Sequence, residues 1–411
     1  MLRRSVLGAV GAGNGASAFE AAARRMAGQQ QRSFTCTAPR SASIVHFTPS
    51  SSPQLDSLLD TIRTKIILPY YLPLYQRQRL YKPNWEKKLA SDPIIIEIDG
   101  EVIKFRYQNP AKDLPNTHKS VVRAIELFKT ADDFANLKPL LEGLAYTGRN
   151  IPPAVYHKIL RRTCDKGYVY HIIDCARSVR HTGFKLDSSE KVNELLHFVQ
   201  MKARDADWDE SETRQALRWT EVILEMLHKE EHQPKRPHDG STIANQWPLS
   251  RDPMVLMASL HLAAVLAARH AAGEGVPKMV HKLARDIVTL WPEDKSLREV
   301  YPSELYTDVY QMGYLNEPNK FITLATPLLH GLDTAITAVE APHPELAPKL
   351  RTRRDLLATE IETARKQLAE EVTRAQEASA EPSAEKGKRR QKVKPLEAKR
   401  GEKIYRKFYD A

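Results

Sequence analysis

The stretch Val155-Tyr156-His157-Lys158-Ile159-Leu160-Arg161-Arg162-Thr163-Cys164-Asp165-Lys166-Gly167, continued by Tyr168 to Ala176 and by Thr182-Gly183-Phe184-Lys185-Leu186-Asp187, decides how this chain folds. Apolar residues recur every three or four positions on both sides of Lys166-Gly167. That periodicity predicts one helix over Pro153 to Asp165 and a second over Tyr168 to His181. The helix punctuation repeats: Tyr146-Thr147-Gly148 before Pro152-Pro153 is matched by His181-Thr182-Gly183 before Asp187-Ser188, with 35 residues from Thr147 to Thr182. A helical hairpin returning at this period predicts a solenoid, in which each hairpin buries its apolar face on its neighbours.

The pattern extends both ways. Val121, Val122, Ile125 and Phe128 share one face of a helix that opens near Asn116 or Thr117, and Phe134, Leu137, Leu140, Leu141 and Leu144 share a face of the next. Glu230 to Trp247 is polar and Pro-containing and predicts a long loop. Beyond it, helices are expected over Pro253 to Ala271, Pro277 to Leu290, Pro302 to Met312 and Pro318 to Leu332, since proline is tolerated in the first helical turn. Pro344 to Glu377 predicts one long polar helix with a thin stripe of Leu350, Leu356, Leu357, Ile361 and Leu368. Upstream, Ile94 to Ile98 and Glu101 to Tyr107 flank Asp99-Gly100, a pair suited to a two-residue type I′ turn, and predict a β-hairpin. The fold class is mainly α: a helical-hairpin solenoid with one small β-hairpin and extended basic termini.

The unit around Val155 to Asp187 resembles a pentatricopeptide repeat. It has Tyr and Ile-Leu in the first helix, a Cys-x-Lys-Gly turn, Ala176 in the second helix and a Gly-containing exit, with weaker copies over Thr117 to Thr147 and Ser188 to Leu227. In that family a polar residue early in the first helix pairs with one at the end of the repeat to read a base. Here those first positions are His157 and Val192, so the resemblance implies a protein or RNA-shape platform.

The two ends carry the basic charge. Met1 to Phe34 has five arginines, no lysine and one acidic residue, Glu20, among many Ala, Gly and Ser, the composition of an organelle presequence. Gln31-Arg32-Ser33-Phe34-Thr35 resembles a fungal mitochondrial processing site, with cleavage expected near Phe34. Removing the segment takes the net charge of the 411-residue chain from +11 to +7. Lys386 to Lys407 then holds eleven Lys/Arg against Glu397 and Glu402. Such segregated positive charge favours phosphate backbones through counterion release.

Two RNA-contacting segments are expected. One is an arm over Ile66 to Leu89, where Tyr81 and Trp85 stack on unpaired bases while Arg77, Arg79, Lys82, Lys87 and Lys88 neutralise phosphates. The other is the tail: Lys386, Lys388, Arg389, Arg390, Lys392, Lys394, Lys399, Arg400, Lys403, Arg406 and Lys407. The predicted division is a presequence over 1–34, an extended linker and arm over 35–92, a β-hairpin over 93–108 and helical repeats over 116–230. A loop over 231–252, a second helical region over 253–340, a long helix over 344–380 and a basic tail over 381–411 follow.

Composition excludes other classes. With 42% hydrophobic and 27% charged residues the chain is ordinary globular material, and the apolar run Met254 to Ala268 is broken by His261, short of the ~20 residues of a bilayer span. Three cysteines exclude a disulfide framework. No Gly-rich phosphate loop, zinc-type cysteine pair, His-Glu-x-x-His or nucleophile elbow occurs, and His157, His171 and Cys175 read as ordinary packed side chains rather than metal ligands. Neither an enzyme nor a metal, cofactor or small-molecule substrate is expected. The layout is similar to that of fungal mitochondrial ribosomal proteins, which implies rRNA and neighbouring ribosomal proteins as partners in the mitochondrial matrix. The alternatives are a pentatricopeptide-type factor acting on mitochondrial mRNA and a respiratory-complex assembly factor.

Overall fold

A computed structural model describes residues 44–234, 247–270, 273–307, 311–380 and 394–410. The segment expected to be a presequence, 1–34, and most of the loop expected over 231–252 lie outside the described residues.

The chain enters along 44–52 and forms α1 (Pro53–Ile62), a π turn (Arg63–Ile67) and a 3-10 turn (Leu68–Tyr71). Two short helices follow, α2 (Leu74–Leu80) and α3 (Glu86–Ser91), and then β1 (Ile94–Ile98) and β2 (Glu101–Phe105). The extended linker and arm expected over 35–92 are therefore replaced, over 53–91, by short helical pieces. The reason lies in Leu55, Leu59, Ile62, Ile66 and Ile67, which are all fully buried and form one continuous apolar stripe. Pro69, Pro73 and Pro83 interrupt the stripe but do not expose it, because each sits in the first turn of a piece or just before it, where no amide hydrogen is needed. Residues before α1 are tied down as well. Ser51 donates twice to Asp133, from backbone N (2.7 Å) and from Oγ (2.7 Å), and Thr48 exchanges hydrogen bonds with the Asn136 amide.

The hairpin pairs antiparallel with Ile98 opposite Glu101, and Asp99 (φ 52°) and Gly100 (φ 80°) both take the left-handed backbone of the predicted turn. A two-stranded hairpin is marginal alone. Ile103 and Phe105 bury one face, and the Arg63 guanidinium clamps Glu101 in a two-pronged ion pair.

The helical body begins where expected. Asn116 caps α4 (Thr117–Leu127), and α5 (Ala131–Ala135) and α6 (Leu137–Tyr146) follow. The hairpin that opened the sequence reading is α7 (Pro153–Asp165) with α8 (Val169–Arg177) and a last turn, α9 (Val179–Thr182). Gly167 (φ 86°) and Gly183 (φ 67°) supply the left-handed exits. α10 (Ser189–Asp205) is buried along nearly its whole length and packs on α7, α11 (Glu210–Leu227) and α12 (Pro253–Arg269). Between α10 and α11, Asp207 (φ 50°) and Trp208 (φ 61°) turn the chain through left-handed backbone that non-glycine residues seldom take. The buried indole compensates for that strain.

α13 (Gly275–Leu290), α14 (Pro318–Glu340) and α15 (Ala347–Ala380) complete the body. Of the helix expected over Pro302 to Met312, residues 308–310 lie outside the described residues; the described part begins with a 3-10 turn, Ser303–Tyr306, and a second, Gly313–Asn316, follows it, with Tyr301 and Tyr314 buried beside them. α14 is long and apolar enough to cross a membrane, yet most of it is buried against α12 and α15 inside the body. The stripe of α15 faces it, with Leu350, Leu357, Ile361 and Leu368 buried. Arg353, fully buried, donates to the Val288 and Trp291 carbonyls at the C-terminal end of α13, where the helix dipole is negative.

The final helix was not expected. α16 (Arg400–Tyr409) folds out of the predicted tail and lies on α14. Contact is close because Gly401 stands where a Cβ would meet the Asn319 carbonyl oxygen at 2.8 Å.

Candidate nucleic-acid interface

In the arm, cations and rings meet each other. The Arg77 guanidinium stands 4.2 Å over Tyr70, and Arg79 lies 4.4 Å over Trp85, whose ring also receives Lys88 at 5.2 Å. Tyr81 is half-buried, and burial pushes its phenol above the usual range. Arg79, Lys82, Lys87 and Lys88 are exposed, as are Leu74 and Tyr75 on α2 and Ile95 and Val102 on the outer face of the hairpin. The region therefore offers cations and apolar surface side by side.

The C-terminal cations divide into three groups. Lys386, Lys388, Arg389, Arg390 and Lys392 lie outside the described residues. Arg400, Arg406 and Lys407 are consumed within the chain: Arg400 pairs with Glu194 on α10 (2.6 Å), Arg406 with Glu402 (2.9 Å) and Lys407 with Asp205. Lys394, Lys399 and Lys403 have no ion pair among the described residues and line an open cavity between α16 and α10.

Glu402 holds α16 in place. Burial alone would raise its carboxyl, but hydrogen bonds from Arg365 (3.1 and 3.2 Å) and Arg406 outweigh it and hold it below the usual range. Farther along, Tyr409 donates to Asp333 (3.0 Å), and Phe408 joins Trp208, His261 and His330. The Trp208 and His330 rings are nearly parallel, 5.5 Å apart. His261 bridges Gln200 (2.8 Å) and His330 (2.9 Å) through its two nitrogens. Burial pushes His261 far down and His330 to about 4, so both rings are neutral at pH 7.

The titratable clusters elsewhere are already partnered. His157 stands 3.9 Å from Glu190, but Glu190 and Glu194 also receive Arg161 (2.8 and 2.7 Å), and Lys320 reaches Glu190 at 3.1 Å. His281 and His343 stack at 3.8 Å near Glu345. His171 packs against the rings of Phe134 and Tyr168, and the buried Cys164 and Cys175 are free thiols that burial pushes up, the setting of inert rather than reactive cysteines. No spacing rule in the sequence reveals the Arg161–Glu194–Arg400 chain, since its members lie on three helices far apart in the chain.

These features define a class: a helical scaffold in which buried charge joins one element to another. The family described as "Mrp13: Mitochondrial ribosomal protein mS27" matches residues 32–392. The chain is also 38% identical over 339 residues to "Small ribosomal subunit protein mS27" of Neurospora crassa, covering 79% of this chain and 85% of that one. The chain belongs to the mS27 family of mitochondrial ribosomal proteins. Its compartment is the mitochondrion, where the ribosome sits in the matrix.

Proposed function

We propose that this chain is a structural, non-catalytic component of the small subunit of the mitochondrial ribosome, holding rRNA and neighbouring proteins through its edges. The observation that carries the reading is the family match over residues 32–392, and the relative's printed name supplies the small subunit. The start of that match, two residues before Phe34, supports the presequence over 1–34. Rings and exposed cations on the arm, from Arg77 to Lys88, supply the chemistry for irregular RNA. The helical hairpins over 116–230 serve as a shape platform of pentatricopeptide type without a base code. His157, at the first base-reading position of its unit, is turned to Glu190, and Val192, at the same position of the following unit, is fully buried.

Sedimentation of mitochondrial lysate on a sucrose gradient tests this. Comigration with the small subunit through a moderate salt wash is expected. A slow-sedimenting pool whose loss depletes a single transcript would instead establish a free RNA-binding factor.

A further inference from the structure

The cavity between α16 and α10 encloses about 720 Å³, room for a small organic phosphate. Its lining includes Lys394, Lys399 and Lys403, which no carboxylate among the described residues neutralises. Val169, Phe198, Met201 and Ile404 give it an apolar patch, beside the polar side chains of Asp165, Asp205 and Asn319. Two lining side chains carry a buried polar atom with no hydrogen-bond partner among the described residues: His197, only 1% exposed, at Nδ1, and Arg400 at Nη2. A buried ring nitrogen left unpaired costs about 1–3 kcal/mol, which a turn of the ring toward the cavity and a partner there would recover. Burial and the nearby Arg400 cation keep this imidazole neutral, able to accept or donate a single hydrogen bond. Asp165, also in the lining, has no ion pair among the described residues and can accept from an amine.

Three lysines without an ion pair among the described residues, an apolar patch and an unmatched imidazole match one ligand chemistry. We infer that the cavity binds a nucleotide unit, its phosphate on Lys394, Lys399 and Lys403 and its base on the apolar wall with a polar edge to His197. The unit has two possible sources, a free mononucleotide or a nucleotide unstacked from RNA, and the chemistry of the site is the same for both. For a free mononucleotide the inference stands apart from the ribosomal assignment; for a nucleotide displayed by RNA it rests on that assignment.

The test titrates the full chain with mant-labelled AMP and, separately, with a fluorescein-labelled single-stranded RNA decamer, followed by anisotropy. In the Lys399→Ala/Lys403→Ala variant, which removes no ion pair among the described residues, affinity for AMP falls by about tenfold or more. The Lys87→Ala/Lys88→Ala variant leaves it unchanged. If AMP fails to bind but the decamer loses affinity in the cavity variant, the nucleotide is one displayed by RNA and the site stands. Affinities for both probes that ignore the cavity lysines, or no binding of either, overturn it. His197→Phe keeps the bulk of the ring and removes the nitrogen, and undiminished nucleotide binding in that variant, with an unchanged melting temperature, overturns the role given to the base.

Discussion

The two basic ends of this chain have similar composition and opposite construction. The N-terminal segment, 53–91, buries an apolar stripe of Leu55, Leu59, Ile62 and Ile66 and leaves Lys82, Lys87 and Lys88 outside. The C-terminal helix α16 turns Arg400 and Lys407 inward, onto carboxylates of α10. A cation counted in a sequence can thus neutralise a phosphate or a carboxylate of its own fold, and only the distant partner decides which. Counterion release rewards the first use and is absent from the second.

The sharpest way to break the contrast is to remove Arg365. Arg365→Ala strips two hydrogen bonds from the buried Glu402 and costs about 3–5 kcal/mol, read by urea denaturation and by protease release of the last helix. Leu59→Ala tests the other end: if the segment is a core element rather than a loose arm, global stability falls by about 2–4 kcal/mol, and no change would mean that 53–71 is not packed. Gly401→Ala presses a methyl onto the Asn319 carbonyl and loosens α16 by about 1–3 kcal/mol, measured by hydrogen exchange of residues 400–409. Acid separates the ends further. The depressed His330, with its value of about 4, stabilises the folded state above its unfolded value of 6.5, and that contribution is lost as pH falls from 6.5 toward 4. A melting temperature of His330→Gln that drops less than wild type over that window is the expected result. The smallest effect on folding belongs to Lys87→Ala/Lys88→Ala, which shifts stability by less than about 0.5 kcal/mol yet reduces the slope of log affinity for RNA against log salt by about 1.5.

Helices were legible in the sequence where periodicity and caps agreed. Asn116, Lys166-Gly167 and Thr182-Gly183 mark boundaries that the structure reproduces, because capping is a local matter of a few hydrogen bonds. Ile66 and Ile67 were hidden among prolines and aromatic residues, since a π turn buries a face that no regular period predicts. The docking of α16 was illegible for a different reason. Its amphipathic pattern is only ten residues long and dense with lysine and arginine, and the groups that hold it, Glu194, Asp205, Asp333 and Arg365, come from three other helices. Of the candidate RNA contacts, the arm's rings and cations were visible as neighbours in sequence; His197 gave no signal at all, because its singularity is the absence of a partner, which only three dimensions reveal.

The strained turn at Trp208 gives the molecule a built-in indicator. Its indole is pressed flat on His330 with Phe408 closing the edge, so undocking of the last ten residues admits water to the ring and protonation of His330 places a quencher against it. In a chain whose other four tryptophans are replaced by phenylalanine, emission colour would thus register whether the terminal helix is seated, and emission intensity the charge on the neighbouring imidazole.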